Sequence, residues 1–124
     1  MAFKVFTGAG KRIGKPMVSI WSRGQIGLNQ GAMKRYKLEN YDYVIILFDE
    51  ETRRVGLEFT NDDNRDGAVK ITKRATGISF SASAFLNAYG IDHDNKTIKY
   101  MIDHNADDNI YIFDTNKPIN KKGG

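Results

Sequence analysis

The feature that most limits how this chain can fold is an internal repetition of its apolar pattern. Residues 18–59 and 69–113 contain the same order of β-branched, aromatic and aliphatic residues, at a spacing that drifts only from 52 to 55 residues. Such self-similarity predicts two copies of one structural unit. The equivalent positions are Ile26 and Ile78, Leu28 and Phe80, Tyr36 and Tyr89, Leu38 and Ile91, Ile46 and Tyr100, Asp49 and Asp103, Val55 and Ile110, and Leu57 and Ile112.

Within each unit, alternation of apolar and polar residues predicts half-buried β-strands. The predicted strands are residues 3–6, 17–21, 25–28, 43–48, 55–59, 69–72, 77–80, 98–102 and 110–113. Helical spacing is confined to two segments, 30–36 and 83–89, with Asn29 as the N-cap of the first and Ser81 or Ser83 as the cap of the second. Each unit therefore has the order strand, helix, strand, strand.

Two such units need each other, because the few strands of one unit cannot cover both of its own faces. Closing a sheet between the two units removes the exposed edges, and 124 residues suffice for a single core. We therefore expect a mainly β fold, a β-barrel with two short helices, whose core includes the aromatic residues at alternating strand positions. These are Trp21, Phe48, Phe59, Phe80 and Phe113.

The expected domain layout has three parts. Residues 1–16 form a basic amino-terminal strand and arm. Residues 17–116 form the single barrel domain, made of the repeats 17–60 and 67–116. Residues 117–124 form a flexible tail.

Positive charge is concentrated in the first third of the chain. Residues 1–40 contain eight lysines and arginines and only one acid, Glu39, whereas residues 61–124 contain nine basic and nine acidic residues. This asymmetry favours a polyanionic partner such as nucleic acid, although a basic surface also serves solubility. The candidate nucleic-acid-binding residues are Lys11, Arg12, Lys15, Arg23, Lys34, Arg35, Lys37, Lys73 and Arg74.

One stretch of the first repeat, GQIGLNQGAMKRYKLENYDYVIILFDEETRRVGLEF, has a characteristic order of features. A glycine is followed by two hydrophobic residues separated by one position, a short helix, an apolar exit, an acidic turn and a final hairpin. The positions are Gly24, Ile26, Leu28, Tyr36, Leu38 and Asp42. In this order the chain resembles the AbrB-type swapped-hairpin family, which includes transition-state regulators and MazE-like antitoxins.

The resemblance implies a DNA-binding barrel of the swapped-hairpin or cradle-loop type. Family members build it from two identical chains, and this chain would build it from its own two repeats. The chain departs from the family at Gln25, in place of a basic residue, and at Asn29, in place of a helix-opening proline. The second repeat has FLN at 85–87 where the first has MKR at 33–35, so we expect the first repeat and the arm to make most of the contacts.

Catalytic and metal-binding motifs receive little support. The glycines of the amino-terminal stretch do not fit a phosphate-binding loop, because five residues separate Gly8 from Gly14 and a proline follows Lys15. His93 and His104 lie in acidic turns, a composition that ordinary turns share with divalent-cation sites. The chain has no cysteine, which excludes disulfides and thiolate metal ligands. We therefore predict no enzyme activity, no metal and no cofactor.

The expected function is non-catalytic nucleic-acid binding by a DNA-binding transcriptional regulator or accessory factor. We expect a cytoplasmic location and no membrane partner, since the longest apolar run, 43–48, is far shorter than the roughly 20 residues that span a bilayer. Two alternatives stay open. One is a single-stranded DNA or RNA binding module, which would expose tyrosines on its basic face. The other is a protein-interaction module, such as an antitoxin-like or phage-encoded inhibitor; a homodimer and a separate protein partner also stay open.

Overall fold

The structure, a computed structural model, describes residues 15–91 and 97–119. In chain order its elements are β1 (Met17–Ile20), β2 (Gln25–Asn29), α1 (Gln30–Tyr36), a 3-10 helix (Leu38–Asn40), β3 (Tyr43–Asp49), β4 (Arg54–Thr60), β5 (Val69–Lys70), β6 (Thr72–Arg74), β7 (Gly77–Ser81), α2 (Ser83–Ala88), β8 (Ile98–Met101), β9 (Asp103–Asn105) and β10 (Ile110–Asp114). The helices and strands predicted within the described residues are present, and most of them begin at the predicted residue but end one or two residues away from the predicted end. The strand predicted at 3–6 lies outside the described residues.

The strands pair into two antiparallel sheets of five strands each. Sheet A has the order β6-β7-β2-β1-β8, and sheet B has the order β5-β3-β4-β10-β9. The predicted mainly β class with two short helices is therefore confirmed. The predicted closed barrel is not confirmed, because the strands divide between two separate hydrogen-bonded ladders.

Two runs of extended chain pass directly from one sheet to the other, each between two consecutive strands. The strand predicted at 69–72 is interrupted at Ile71, so that β5 pairs with β3 in sheet B and β6 pairs with β7 in sheet A. The chain is interrupted in the same way at Ile102, between β8 in sheet A and β9 in sheet B. Both isoleucines are buried. An apolar side chain in the core thus holds each change of sheet in place.

One apolar core joins the two sheets and the helices. Its largest fully buried side chains are Val18, Ile20, Ile26, Leu38, Val44, Val55, Leu57, Phe80, Leu86 and Phe113. Among the aromatic residues predicted for the core, Phe59, Phe80 and Phe113 are buried, and Phe48 is partly buried against it. The prediction is wrong for Trp21. Ile20 points into the core, and consecutive strand residues point to opposite faces, so Trp21 lies on the outer side of sheet A.

The correspondence predicted between β4 and β10 is also wrong by one residue. Leu57 faces the core, but its predicted counterpart Ile112 is only half-buried. The buried residues of β10 are its neighbours Tyr111 and Phe113. A shift of one residue exchanges the two faces of a strand, so generic apolar similarity was not enough to fix the register.

The two helices begin in different ways. α1 is capped as predicted, because Oδ1 of Asn29 accepts a hydrogen bond from the Ala32 amide at 2.9 Å. α2 has no side-chain cap, and Ala82 holds the cap position, so the predicted serine cap is wrong. The Ser83 hydroxyl instead donates to the Gly24 carbonyl at 3.3 Å.

Each helix begins against the hairpin of the other half of the chain. α1 begins beside the β6–β7 turn, where the Gln30 side chain donates to the Ala75 carbonyl at 3.1 Å. α2 begins beside the β1–β2 turn, where the Ala82 amide donates to the Gly24 carbonyl at 2.9 Å. The start of each helix is therefore fixed by a backbone carbonyl that is distant in sequence.

Aromatic contacts hold the other ends of the helices. Tyr36, at the end of α1, has its ring centroid 4.7 Å from that of Tyr111 in β10. Tyr89, after α2, has its ring centroid 4.6 Å from that of Phe48 in β3. Both helices are short, and no helix among the residues that the structure describes has the length and apolar character needed to cross a membrane.

Gly77 is a position in sheet A where a side chain should be poorly tolerated. Its φ is +151°, and a Cβ there would collide with the carbonyl oxygen of Leu28 in the neighbouring strand. We expect Gly77→Ala to lower the free energy of unfolding by about 3 kcal/mol or more, since it combines a strained φ with displacement of paired backbone. Urea unfolding followed by circular dichroism measures the loss.

Gly90→Ala is the matched control for this substitution. The φ of Gly90 is also positive, at +64°, but the space around it is open. We expect it to cost about 1 kcal/mol, from the backbone conformation alone. Equal losses in the two variants would contradict the importance given to the contact with Leu28.

Candidate nucleic-acid interface

Charge divides between the two sheets. The described strands of sheet A contain no Asp or Glu, and neither do the turns that join β1 to β2 and β6 to β7. The strands of sheet B contain Asp49, Glu58, Asp103 and Asp114. A polyanion would therefore meet carboxylates on the strands of sheet B and none on the described strands of sheet A.

Two arginines, one from each hairpin of sheet A, line the same cavity. Arg23 lies in the β1–β2 turn, and Arg74 is the last residue of β6. The cavity is open to solvent and has a volume of about 420 Å³. Its other lining residues are Trp21, Ser22, Gln25, Thr76 and Ser79. The cavity lies on the outer side of sheet A, which we call the Trp21 face.

Strand pairing explains why Arg74 faces outward. Lys73 is paired with the buried Ile78, and Arg74, the next residue, points to the opposite face of β6. The β1–β2 turn is closed by a hydrogen bond of 2.8 Å from the Gly24 amide to the Trp21 carbonyl. Gly24 has a φ of +86°, a conformation that favours glycine. Short backbone turns thus position both arginine-bearing hairpins.

The Trp21 side chain packs against β2, the middle strand of sheet A. A Cβ built at Gly27 would be 2.7 Å from Cη2 and Cζ2 of the indole, so the six-membered ring rests against the Gly27 backbone. A second cavity, of about 200 Å³, adjoins the ring. Trp21, Arg74, Thr76 and Ser79 line both cavities. The indole and one guanidinium therefore border two neighbouring depressions of the sheet.

The sequence does contain a signal for this arrangement. Ile26 and Leu28 are the core residues of β2, so Gly27 between them faces outward and has no side chain to cover the backbone there. Trp21 follows the inward Ile20 on the adjacent strand. A large ring beside a strand glycine covers the exposed backbone. The alternation of the two strands, taken together, therefore indicates an outward tryptophan.

Neither arginine forms an ion pair with another residue in the part of the chain that the structure describes. Within residues 15–91 and 97–119, no carboxylate oxygen lies within 4.0 Å of a side-chain nitrogen of Arg23 or Arg74. Arg65 in the β4–β5 connection differs, since it donates to both carboxylate oxygens of Glu58, at 3.0 and 3.1 Å. The guanidinium groups of the Trp21 face are thus available to phosphate oxygens, which they fit in a bidentate geometry.

The basic residues of α1 form a second, separate group. Lys34 and Arg35 are exposed in the last turn, and Lys37 is exposed at the C-cap with a φ of 56°. Positive charge at this end of a helix is favourable by itself. Tyr36 contacts Tyr111 of sheet B, which places the end of α1 beside that sheet. These three residues do not line the cavity of the Trp21 face.

Lys73 is held on the opposite side of β6 from Arg74. Its Nζ lies 2.8 Å from Oδ1 of Asp42, in an ion pair that links the edge of sheet A to the chain entering β3. The hydrogen bond and the charge of Lys73 hold the pKa of Asp42 below its usual value. Lys73 is therefore directed away from the Trp21 face.

The predicted arm is described only at its end. Lys15 is exposed, and its carbonyl accepts a hydrogen bond of 2.9 Å from the Asn29 side chain. This bond ties Lys15, two residues before β1, to the N-cap of α1. Lys11 and Arg12 lie outside the described residues.

His104 in β9 has an aromatic environment. Its ring stacks on Tyr111 with 4.3 Å between centroids, and its Nε2 lies 2.9 Å from Oδ1 of Asn109. In the part of the chain that the structure describes, no three histidine or acidic side chains are grouped so as to hold a metal ion. The acidic turn around His93 lies outside that part.

The Trp21 face thus combines one aromatic ring, two arginines and the polar side chains of Gln25 and Thr76 on a sheet without acids in its described strands. Aromatic and basic groups side by side suit contacts with both bases and phosphates.

A scan against protein-family models, a search of curated proteins and a search of solved structures each found no match for this chain.

Loss of Lys73 should raise the pKa of Asp42. We expect this in Lys73→Met, because both the hydrogen bond and the nearby charge are removed. A carboxylate with a lowered pKa stabilises the fold above its unfolded-state pKa, and that contribution is lost as the pH falls through the folded-state pKa. The variant should therefore lose less stability on acidification than the wild type. NMR titration of the carboxyl carbons and unfolding at neutral and acidic pH measure the two effects.

Lys70→Met is the control for the ion pair. Lys70 also lowers the pKa of Asp42, but it is the smallest of the identified influences. Its removal should move that pKa less than removal of Lys73 does. An Asp42 pKa that is the same in Lys73→Met as in the wild type would contradict the ion pair.

Proposed function

We propose that this protein binds nucleic acid without catalysing a reaction, and that the Trp21 face is its binding surface. The observation that carries the proposal is the meeting of Arg23 and Arg74 at one cavity, on a sheet whose described strands contain no acid. DNA is the favoured partner, and a transcriptional regulator or accessory factor is the favoured role, because the chain resembles the AbrB-type family.

Arginine is well suited to this task. The planar guanidinium can donate two parallel hydrogen bonds to a phosphate, and it keeps its charge at any physiological pH. Each phosphate that is neutralised releases bound counterions, which supplies much of the binding free energy at low salt. Side chains that are not already paired with carboxylates need not break an ion pair before they bind. Arg23 and Arg74 meet this condition within the described residues.

We also propose that the two halves of the chain are repeats related by an approximate two-fold axis at the centre of sheet A. The pairing of β2 with β7 supports this relation, because Ile26 lies opposite Phe80 and Leu28 lies opposite Ile78. If Ile26 is equivalent to Ile78 and Leu28 is equivalent to Phe80, a two-fold rotation places the pair Ile26–Phe80 on the pair Ile78–Leu28. The exchanged starts of α1 and α2 agree with the same axis.

The two changes of sheet support a barrel in which the edges of sheet A and sheet B are joined by continuous chain. The segment 69–74 contains one edge strand of each sheet, and the segment 98–105 contains the other edge strand of each. The chain itself therefore connects sheet A to sheet B on both sides. We propose that this is the swapped-hairpin barrel of the AbrB-type family, opened at Ile71 and Ile102.

Under this proposal each repeat contributes one arginine to the Trp21 face. Arg23 belongs to the hairpin of the first repeat, and Arg74 belongs to the hairpin of the second. The two repeats would then share the phosphate contacts more evenly than the concentration of positive charge in residues 1–40 predicts. The basic end of α1 would add contacts from the first repeat only.

Removal of either arginine should weaken binding and reduce its dependence on salt. We expect Arg23→Ala and Arg74→Ala each to reduce the slope of log affinity against log salt by about 1, since one phosphate contact is lost in each. Fluorescence anisotropy of labelled duplex DNA, single-stranded DNA and RNA, measured over roughly 50 to 200 mM salt, gives the slopes.

Arg54→Ala is the matched control. It removes the same charge from an exposed side chain of sheet B, 3.9 Å from Asp114. Its slope should equal that of the wild type. Failure of all three nucleic acids to bind at low salt would refute the proposal, and so would an equal loss of affinity in Arg54→Ala and the two sheet A variants.

A second candidate function, protein interaction, is favoured by the outer face of sheet B. Leu47 is 38% exposed there, and with Ile110 and Ile112 it borders a cavity of about 290 Å³. Arg54 and Asp49 border the same cavity. An apolar patch whose rim carries both signs of charge can be complementary to itself across a two-fold axis, and from this we infer that its partner is a second copy of the chain.

Leu47→Asp should separate such a dimer, because it places a charge at the apolar centre of the interface. Met101→Asp is the control, since Met101 is 43% exposed but lies in sheet A. Sedimentation equilibrium over a series of protein concentrations should show dimers for the wild type and Met101→Asp, and monomers for Leu47→Asp. A wild-type monomer at every concentration would exclude the interface.

A further inference from the structure

We propose that the Trp21 face holds one unpaired nucleotide, with its base stacked on the indole of Trp21 and its phosphate bound by Arg23 or Arg74. This rests on the proposed nucleic-acid binding and adds to it a preference for unpaired bases over a base-paired duplex. The shared ligand chemistry is a nucleobase with its phosphate, which single-stranded DNA and single-stranded RNA both supply.

The position of the indole makes it a platform. Contact with the Gly27 backbone holds Cη2 and Cζ2 against the sheet. The side chain as a whole is only partly buried and borders both cavities. Part of the ring is thus open to solvent, while the rest is fixed by backbone. A ring held in this way loses little conformational freedom when a base stacks on it.

The surroundings of the ring match the other parts of a nucleotide. The cavity of about 420 Å³ lies within the usual range of small-ligand sites. Gln25 offers a donor and an acceptor to a base edge, and Thr76 and Ser79 add hydroxyl groups. Arg23 and Arg74 supply the positive charge for a phosphate. Stacking, polar contacts and charge are therefore brought together at one place.

Unpaired bases are favoured for a geometric reason. In a duplex the faces of a base are covered by its neighbours in the stack, and only its edges are accessible in the grooves. An indole that rests against a sheet at Gly27 cannot enter that stack. A base of a single strand can leave its neighbours and lie on the ring, as bases do on other aromatic platforms.

Fluorescence reports on this site alone, because Trp21 is the only tryptophan of the chain. Titration of the full chain at low salt with oligothymidylate and with oligouridylate should quench it, and comparison of the two distinguishes DNA from RNA. A fully base-paired DNA hairpin should leave the fluorescence nearly unchanged. Anisotropy of the same labelled oligonucleotides gives the affinities independently.

Substitution of Trp21 tests the stacking itself. Trp21→Leu still covers Gly27 but has no ring, and it should lower single-strand affinity by about 10-fold or more while affinity for the paired hairpin stays the same. Trp21→Phe keeps a ring and should retain most of the affinity. Tyr43→Ala is the matched control, because Tyr43 is an aromatic residue of sheet B with Nζ of Lys70 5.9 Å from its ring centroid. Its affinity should not change.

The outcomes separate this inference from the proposed function. Single strands that bind by anisotropy without quenching Trp21 would overturn the inference and leave nucleic-acid binding intact. Equal losses for single strand and hairpin in Trp21→Leu would do the same, since the indole would then only shape the surface. Failure of every oligonucleotide to bind would refute both the stacking inference and the proposed nucleic-acid binding. Circular dichroism melting of each variant confirms that a lost affinity is not a lost fold.

Discussion

The pairing of β2 with β7 is the contact on which the rest of the structure depends. It places the two hairpins of sheet A side by side, so that Arg23 and Arg74 reach one cavity. The same pairing sets Gly77 against the carbonyl of Leu28. A shift of one residue in this ladder would turn the core residues outward. The core and the cavity of the Trp21 face therefore both depend on this register.

Much of the fold could be predicted from local pattern, because strands and caps depend on near neighbours in sequence. Period-two alternation located the strands to within a few residues, and Asn29 was recognisable as an N-cap since a short polar side chain precedes helical spacing there. The class of fold followed from these elements. Arg23 and Arg74 were among the candidate residues because charge, too, can be counted along the chain.

The features that could not be predicted depend on contacts between distant segments. The change of sheet at Ile71 and at Ile102 leaves no break in the apolar pattern, because both sheets face the same core. Lys73 and Arg74 are adjacent and both basic, yet one pairs with Asp42 and the other lies on the Trp21 face. Only the partner strand decides which of two neighbouring side chains points outward.

The span of chain between β2 and β7 has a consequence for the order of folding. β3 and β4 are joined by a short turn, whereas Gly27 and Ser79, paired at the centre of sheet A, are 52 residues apart in sequence. Local hairpins form quickly, and pairing across a long loop is slower because its closure costs more entropy. During synthesis the first hairpin leaves the ribosome well before its partner exists. An unfinished chain therefore carries Arg23 without Arg74, and the Trp21 face is assembled only when β7 pairs with β2.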